Sequence, residues 1–407
     1  MKVTINGHII TQITEKEVNF NYDSISDTFS FTLPHKGHEW LNPLGYYPVT
    51  IHDDSGNLLL TGQVLNHHAK SNDKASEVTI SGYSVTGILG DCPNIAEAIK
   101  EGEQKPDTDV SAPDPSGLGE IWNTITGIFS PDVEPTAASS NFQGINLYEL
   151  TKKVIAPFKN IGISMGYDVS DEITKRVQQE PYDQATTEPT ESIGAYLSKL
   201  ATLKNVVLRG TPTGNLEFTQ LNENDKVRAT FQNGMKCIEM SLEVNGQSMF
   251  WGIHVCGKSD LYEDQKKDKS DSGNFDVRYN PLVSDKRRET LIMQGTEVKL
   301  IKNAVDSAFA DSLKGINLNI EIPNMKEYIE TYHLSPELDT QYKQITALKP
   351  GDLIEVLNPE IFINHITKFM VRSISIKEDA NGERETLKCI IPQMITGNKL
   401  QRPLIFS

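Results

Sequence analysis

Asp27-Thr28-Phe29-Ser30-Phe31-Thr32-Leu33 is the stretch that decides the fold class. Phe29, Phe31 and Leu33 alternate with Thr28, Ser30 and Thr32, so a pleated strand sends its apolar side chains to one face and its hydroxyls to the other. Such a strand is half buried. The same habit continues downstream, where Val49-Thr50-Ile51 and Leu58-Leu59-Leu60-Thr61-Gly62 flank Asp53-Asp54-Ser55-Gly56-Asn57. Gly and Asn tolerate positive φ, so this is a hairpin. Val78 and Ile80 alternate again before Ser81-Gly82-Tyr83-Ser84, and the whole N-terminal part reads as strands and hairpins.

Beyond it the pattern changes. From Glu101 to about Asn141 the chain turns to Pro, Asp, Ser, Gly and Thr, as in Ala112-Pro113-Asp114-Pro115, a composition that buries too little surface to offset its ordering entropy. A mobile insert is expected there, and limited proteolysis should cut the folded chain first between Glu101 and Asn141. Strong protection of that whole segment would instead point to Ile121, Trp122, Ile125, Ile128 and Phe129, which recur at helical spacing, as an anchor on the body. A helical pair follows. Asn146 is placed to cap a helix with Glu149 three residues on, and Leu147, Leu150 and Val154 line one face until Pro157. Pro189 suits the first turn of a second helix carrying Ile193, Tyr196, Leu197 and Leu200. Val206-Val207-Leu208 and Leu216-Glu217-Phe218 around Thr213-Gly214-Asn215 return to a hairpin. A third helix is expected from about Thr296, with Val298, Ile301, Val305 and Leu313 near one face and Gly315 as its stop. The chain ends in β structure: Lys349-Pro350-Gly351-Asp352 turns into Leu353-Ile354-Glu355-Val356, and Asp379-Ala380-Asn381-Gly382 joins strands around Ile374 and Leu387.

Bulk properties narrow the function classes. At 407 residues with 37% hydrophobic content, the chain is expected to fold as several compact units. No run approaches the ~20 apolar residues of a membrane span, and Met1 to His8 alternates polar with apolar residues, so neither membrane insertion nor a secretory signal is expected. The formal charge of -16 argues against a broad electrostatic grip on nucleic acid, which needs clustered Lys and Arg. Cys92, Cys237, Cys256 and Cys389 form no CxxC pair and are expected as reduced, packed residues.

An internal echo joins the two ends. The strand Gln63-Val64-Leu65-Asn66, the turn Ser71-Asn72-Asp73-Lys74 and the strand Glu77-Val78-Thr79-Ile80 parallel Val371-Arg372-Ser373-Ile374, Glu378-Asp379-Ala380-Asn381 and Glu385-Thr386-Leu387-Lys388. Two related barrels would produce it, as would generic hairpins.

Over nearly its whole length the chain resembles the Mu-type baseplate hub proteins of contractile-tailed phages. The matching residues are Asp27 to Leu33; Tyr47-Pro48-Val49-Thr50-Ile51 leading to Leu60-Thr61-Gly62-Gln63-Val64; Ile80-Ser81-Gly82-Tyr83-Ser84 with Leu89-Gly90-Asp91-Cys92; and Glu188-Pro189-Thr190-Glu191-Ser192 before Leu197 and Leu200, closing on Leu208, Gly214-Asn215-Leu216 and Phe218. The insert from Glu101 and the charged stretch Leu261 to Asn280 depart from the family pattern. The resemblance implies an α+β, mainly β, multidomain chain with two related β-barrels and smaller helical or α/β domains inserted. Residues 1–95 with about 205–235 are expected to form the first barrel, 96–141 a flexible insert, 142–204 a helical or α/β domain, 236–295 with about 346–407 the second barrel, and 296–345 a small helical domain. It further implies a homotrimer whose ring of barrels matches a sixfold tail tube above and a threefold central spike below. The expected location is the baseplate of a virion tail assembled in the bacterial cytoplasm. DNA would at most pass through, without specific binding. Secretion-system spike hubs share the architecture, so a non-viral contractile injection machine is the alternative.

Catalytic chemistry finds little support in the residues. His67 and His68 are adjacent and point to opposite faces of a strand, and His35-x-x-His38 with Glu39 lies in an apparent loop without a second motif. Asp268, Ser270 and Ser272 have the spacing of calcium ligands before Gly273, but Tyr279 stands where the closing Glu belongs. There is no GxSxG elbow, HExxH or P-loop. The expectation is a non-enzyme with no catalytic, cofactor or metal residues. A β-rich carbohydrate-active enzyme is the remaining alternative, and it would need two facing carboxylates in a cleft.

Overall fold

The computed structural model describes residues 1–36, 38, 40–73, 76–92, 141–165, 171–179, 181–182, 185–186, 191–235, 238–257, 275–285, 290–296, 301–323 and 347–406. The insert up to residue 140 with Trp122 and Phe129, the stretch Asp268 to Gly273, Glu39, Pro189, Cys237 and Val298 lie outside the described residues.

Seven N-terminal strands, β1 (Lys2–Ile5), β2 (His8–Ile10), β3 (Glu15–Asn21), β4 (Thr28–Pro34), β5 (Pro48–His52), β6 (Leu58–Ser71) and β7 (Ser76–Ser84), pair in the antiparallel order β3-β4-β7-β6-β5-β1-β2. The alternation that predicts β4 is met by burial: Phe29, Phe31 and Leu33 are at most 2% exposed. The β5–β6 turn also follows its chemistry, with Asn57 N donating to Asp53 Oδ1 at 2.7 Å and Gly56 at φ +88°. Val3, Ile5, Val18, Phe31, Val49, Ile51, Leu60, Val64 and Ile80 form one apolar cluster built almost wholly from these strands. Among the described residues no helix contributes to it, and Leu41 from the connection between β4 and β5 completes it.

A short helix, α1 (Ile88–Asp91), leads to a second cluster, made by β8 (Asn141–Phe142), α2 (Leu147–Ile155), α3 (Asp171–Gln178), β9 (Ala185–Thr186), α4 (Ile193–Leu203), β10 (Val207–Gly210) and β11 (Leu216–Thr219). Asn146 caps α2 by accepting from Glu149 N, and Leu147, Leu150 and Val154 are buried, as the sequence predicts. At the start of α4, Ser192 is the cap, accepting from Ala195 N at 3.2 Å, and the helix runs from Ile193; the expectation on Pro189 lies outside the described residues.

The third and largest cluster among the described residues draws on β12 (Ala229–Gln232), β13 (Glu239–Val244), β14 (Gly252–Gly257), with β15 (Phe275–Tyr279) paired to β14 beside it, and on β16 (Thr290–Thr296), α5 (Ile301–Ser312), β17 (Ile316–Pro323), β18 (Leu353–Asn358), β19 (Ile363–Asp379), β20 (Gly382–Ile390) and α6 (Gln393–Thr396). The stretch 205–235, expected in the first barrel, is divided: β10 and β11 pack in the helical cluster, and β12 pairs in parallel with β18. Thr296 ends a strand rather than opening a helix, and α5 is described from Ile301. Gly315 is not a left-handed stop. A Cβ there would lie 2.3 Å from Asn245 O, so this glycine lets two backbones cross closely.

The chain is therefore mainly β and multidomain, and its two ends share one sheet in the order β13-β17-β20-β19-β3-β4-β7-β6-β5-β1-β2. The seam is the β19–β3 ladder, Ser373↔Asn21 through Glu378↔Lys16, reinforced by Lys16 Nζ to Glu378 Oε2 at 2.7 Å. The internal echo has a structural counterpart. In each hairpin the longer strand bulges, between Val64 and Asn66 in β6 and between Val371 and Ser373 in β19. Matching the bulges aligns Val64 with Val371 and Ile80 with Leu387, all fully buried, one residue out of step with the alignment read from sequence.

Candidate functional site at the three-way joint

The segment Asn21 to Asp27 touches all three clusters. Tyr22 belongs to the C-terminal core at 3% exposure, Ile25 to the helical core, and β3 and β4 on either side to the N-terminal one. Tyr22 N donates to Arg372 O at 2.8 Å. Its ring lies under the Arg209 guanidinium, 5.4 Å from the centroid, and against Gly351, where a Cβ would meet the ring at 2.8 Å. Arg372 is the bulged residue of β19, and the bulge frees its side chain to grip Asp23, with Nε at 3.0 Å and Nη2 at 2.8 Å. Gly210 N donates to Ser24 O at 3.3 Å, and the Thr86 hydroxyl donates to Ile25 O. Asp27 closes the segment, accepting from Asn21 N on Oδ1 at 2.8 Å while its backbone N–H donates to Ser84 Oγ at 3.1 Å. Burial pushes the Asp27 carboxyl up to about 6, partly offset by the Asn21 hydrogen bond and by Arg209.

Beside this joint lies an open polar groove of about 510 Å³, lined by Asn21, Asp23, Arg372, Ser373, Asn319 and Lys388 among others. Asp23 is committed to Arg372, so it is not placed as a free base; the lining suits hydrogen bonding to another polar surface. Under the C-terminal tail, Glu223 accepts from Gln393 Nε2 at 2.8 Å, from Asn398 Nδ2 at 2.9 Å and from the Thr396 hydroxyl, which pins α6 to the body.

The weighed metal ligands do not converge. His38 Nδ1 donates to Pro34 O at 2.8 Å, and His67 is half-buried while His68 is exposed. Burial lowers the His67 pKa. Among the described residues no three His, Cys, Asp or Glu side chains come together as a metal site. Cys92 and Cys389 are buried free thiols and Cys256 is half-buried; burial pushes the Cys92 thiol up to about 11, in keeping with packing rather than reactivity. The joint residues Asp23, Arg209 and Arg372 carry no signal of their own in the sequence, because their partners are distant along the chain.

No family model and no curated protein sequence matches this chain. Solved structures do. The 43 kDa tail protein of prophage MuSo2 from Shewanella oneidensis superposes with a TM-score of 0.66 at 16% identity, covering 97% of this chain and 98% of its own. The fold is that of prophage tail proteins. A tail protein from Neisseria meningitidis gives 0.65 at 15% identity, with 97% of each chain covered. An E. coli component of the type VI secretion system, itself similar to T4 bacteriophage tail proteins, gives 0.51 at 8% identity over 100% of this chain and 80% of that one. In this tail-protein fold the joint at Asn21 to Asp27 fixes how the sheet halves and the helical unit sit together, and the outer surfaces are left for contacts.

Proposed function

We propose that this chain is the structural hub of a contractile phage or prophage baseplate, a homotrimeric ring that joins a sixfold tail tube to a threefold central spike. The observation that supports it is the likeness to prophage tail proteins along 97% of the chain, in both directions of coverage. Within this reading the β halves repeat one bulged hairpin design, so three copies offer six similar surfaces to the tube and three to the spike. The work is done by surfaces rather than reacting groups, and the net charge of -16 suits a channel wall that does not hold passing phosphates. The hub of a non-viral contractile injection machine is the second reading, favoured by the likeness to the type VI secretion component.

The test is reconstitution. Light scattering of the chain, alone and with tube and spike proteins encoded beside it, is expected to give three times the 45.3 kDa chain mass and a stable complex with each partner. A single-chain mass that persists at high concentration with both partners present, and no binding to either, would sink the hub reading.

A further inference from the structure

Two bulky apolar side chains stand clear of the molecule on backbone that such residues seldom adopt. Leu44 is 72% exposed at φ +62°, and Phe362 is 72% exposed at φ +64°. Left-handed backbone is strained for large L-residues, and an exposed Leu or Phe gains nothing from burial to offset it. Each marks one edge of the long sheet.

Leu44 lies on a turn held beside β2. Gly45 N donates to Asn42 O at 3.2 Å, the Tyr47 hydroxyl donates to Trp40 O at 2.8 Å, and the Trp40 ring is 4.8 Å from that of His8. On β2 itself Ile9 is 56% exposed. At the opposite edge Phe362 closes the 3-10 turn Pro359–Ile361, its N–H donating to Pro359 O at 3.2 Å, and that turn packs against β13, where Val244 is 46% exposed. Among the described residues β2 pairs only with β1, and β13 only with β17, so both present unpaired backbone donors and acceptors. The charges are opposite. The β1–β2 hairpin carries exposed Lys2 and His8 and no acid; β13 carries exposed Glu239 and Glu243 and no cation, with Glu360 beside it.

We propose that the β2 edge of one copy of this chain docks on the β13 edge of the next, with Leu44 and Phe362 as apolar anchors and Lys2 facing the glutamates of β13. The two edges differ and each copy has one of each, so the contact is head-to-tail, and under the threefold rotation of the trimer reading it closes into a ring. This rests on the trimer reading and names the surfaces that would make it.

Asn tolerates left-handed backbone, so Leu44→Asn and Phe362→Asn remove the anchors while keeping both turns. In light scattering of the full chain with its tube and spike partners available, each variant alone is expected to fall to single chains, its dissociation constant raised about tenfold or more, the loss typical of a buried anchor. Far-UV circular dichroism spectra unchanged from wild type would show that both variants fold, whereas the melting temperature is expected to drop with the lost contact. An equimolar mixture should recover a two-chain species, because one junction then has both anchors intact. A trimer that survives both substitutions overturns the edge contact and leaves the trimer reading standing, as does a mixture that stays monomeric. Wild type that is monomeric under every condition, including with partners, overturns both.

Discussion

Gly82→Ala is expected to cost ~3 kcal/mol or more, the upper end for overpacking a closed site, and to break the β6–β7 pairing. A Cβ on Gly82 would lie 1.8 Å from Gln63 O and 2.9 Å from the Phe29 ring. Neither neighbour can yield: Gln63 O is backbone beside the bulge, and Phe29 is 2% exposed in the core. The strands would have to part. Gly62 meets the same limit from the other side, since its Cβ would sit 2.4 Å from Tyr83 O. Gly90→Ala is the control. Among the described residues nothing lies within 4 Å of its added Cβ, and as a position in α1 it should be neutral or gain up to ~1 kcal/mol. Urea unfolding followed by tryptophan fluorescence and far-UV circular dichroism measures both, and a Gly82→Ala variant as stable as wild type would refute the close-approach account.

Stability is expected to fall as pH rises from 5 to 8, the reverse of ordinary acid denaturation, and Glu385→Gln should flatten much of that slope. Glu385 is 8% exposed, between Ile322 and Ile376 on the neighbouring strands. Glu383 stands two residues along, Glu378 is directly opposite Glu383, and Lys16 pairs with Glu378 from β3. Asp54 and the N-terminal amine also reach Glu383 electrostatically from the first sheet. Burial first, and then Glu383, pushes Glu385 up to about 7 from an ordinary 4.5. Between those two values the folded chain keeps a proton that the unfolded chain has lost, so stability declines with rising pH through that window and levels off above about 7. Asp27, pushed up to about 6, acts in the same sense at a lower pH. At 1.36 kcal/mol per pH unit, Glu385 alone accounts for on the order of 3 kcal/mol across the window. Glu385→Gln, which needs no proton, should gain most of that at pH 8 and little at pH 5. Equal slopes for wild type and variant in urea midpoints against pH would exclude Glu385 as the source.

What the sequence made legible was what repeats at a fixed period. Phe29-Ser30-Phe31, Val78 and Ile80, and the capped face of Leu147, Leu150 and Val154 all lie where their spacing puts them, because burial of one face enforces the period. Boundaries set by competing local signals were harder. The start of α4 was read from Pro189, whereas the cap that the structure shows is Ser192, whose side chain satisfies Ala195 N. Gly315 has a stop's composition and a spacer's duty, a difference that only Asn245 across the gap reveals. Bulges hide from periodicity by construction: the extra residue at Arg372 breaks the alternation, which is why the echoed hairpins read one residue out of register. The joint was the least visible. Asp23 meets Arg372, and Tyr22 meets Arg209 and Gly351, through contacts that span hundreds of positions and leave no local trace.

The 17 residues of β19 give it a mechanical character. At ~3.3 Å per residue it extends roughly 55 Å, holding β18 along its first half and both β20 and β3 along its second. A pull along this strand loads the β19–β3 hydrogen bonds in shear, all together, whereas a pull across the seam would peel them one after another. The molecule is thus stiff along the β19 axis and compliant across it. Force arriving along that axis is carried from one half of the sheet to the other without a hinge.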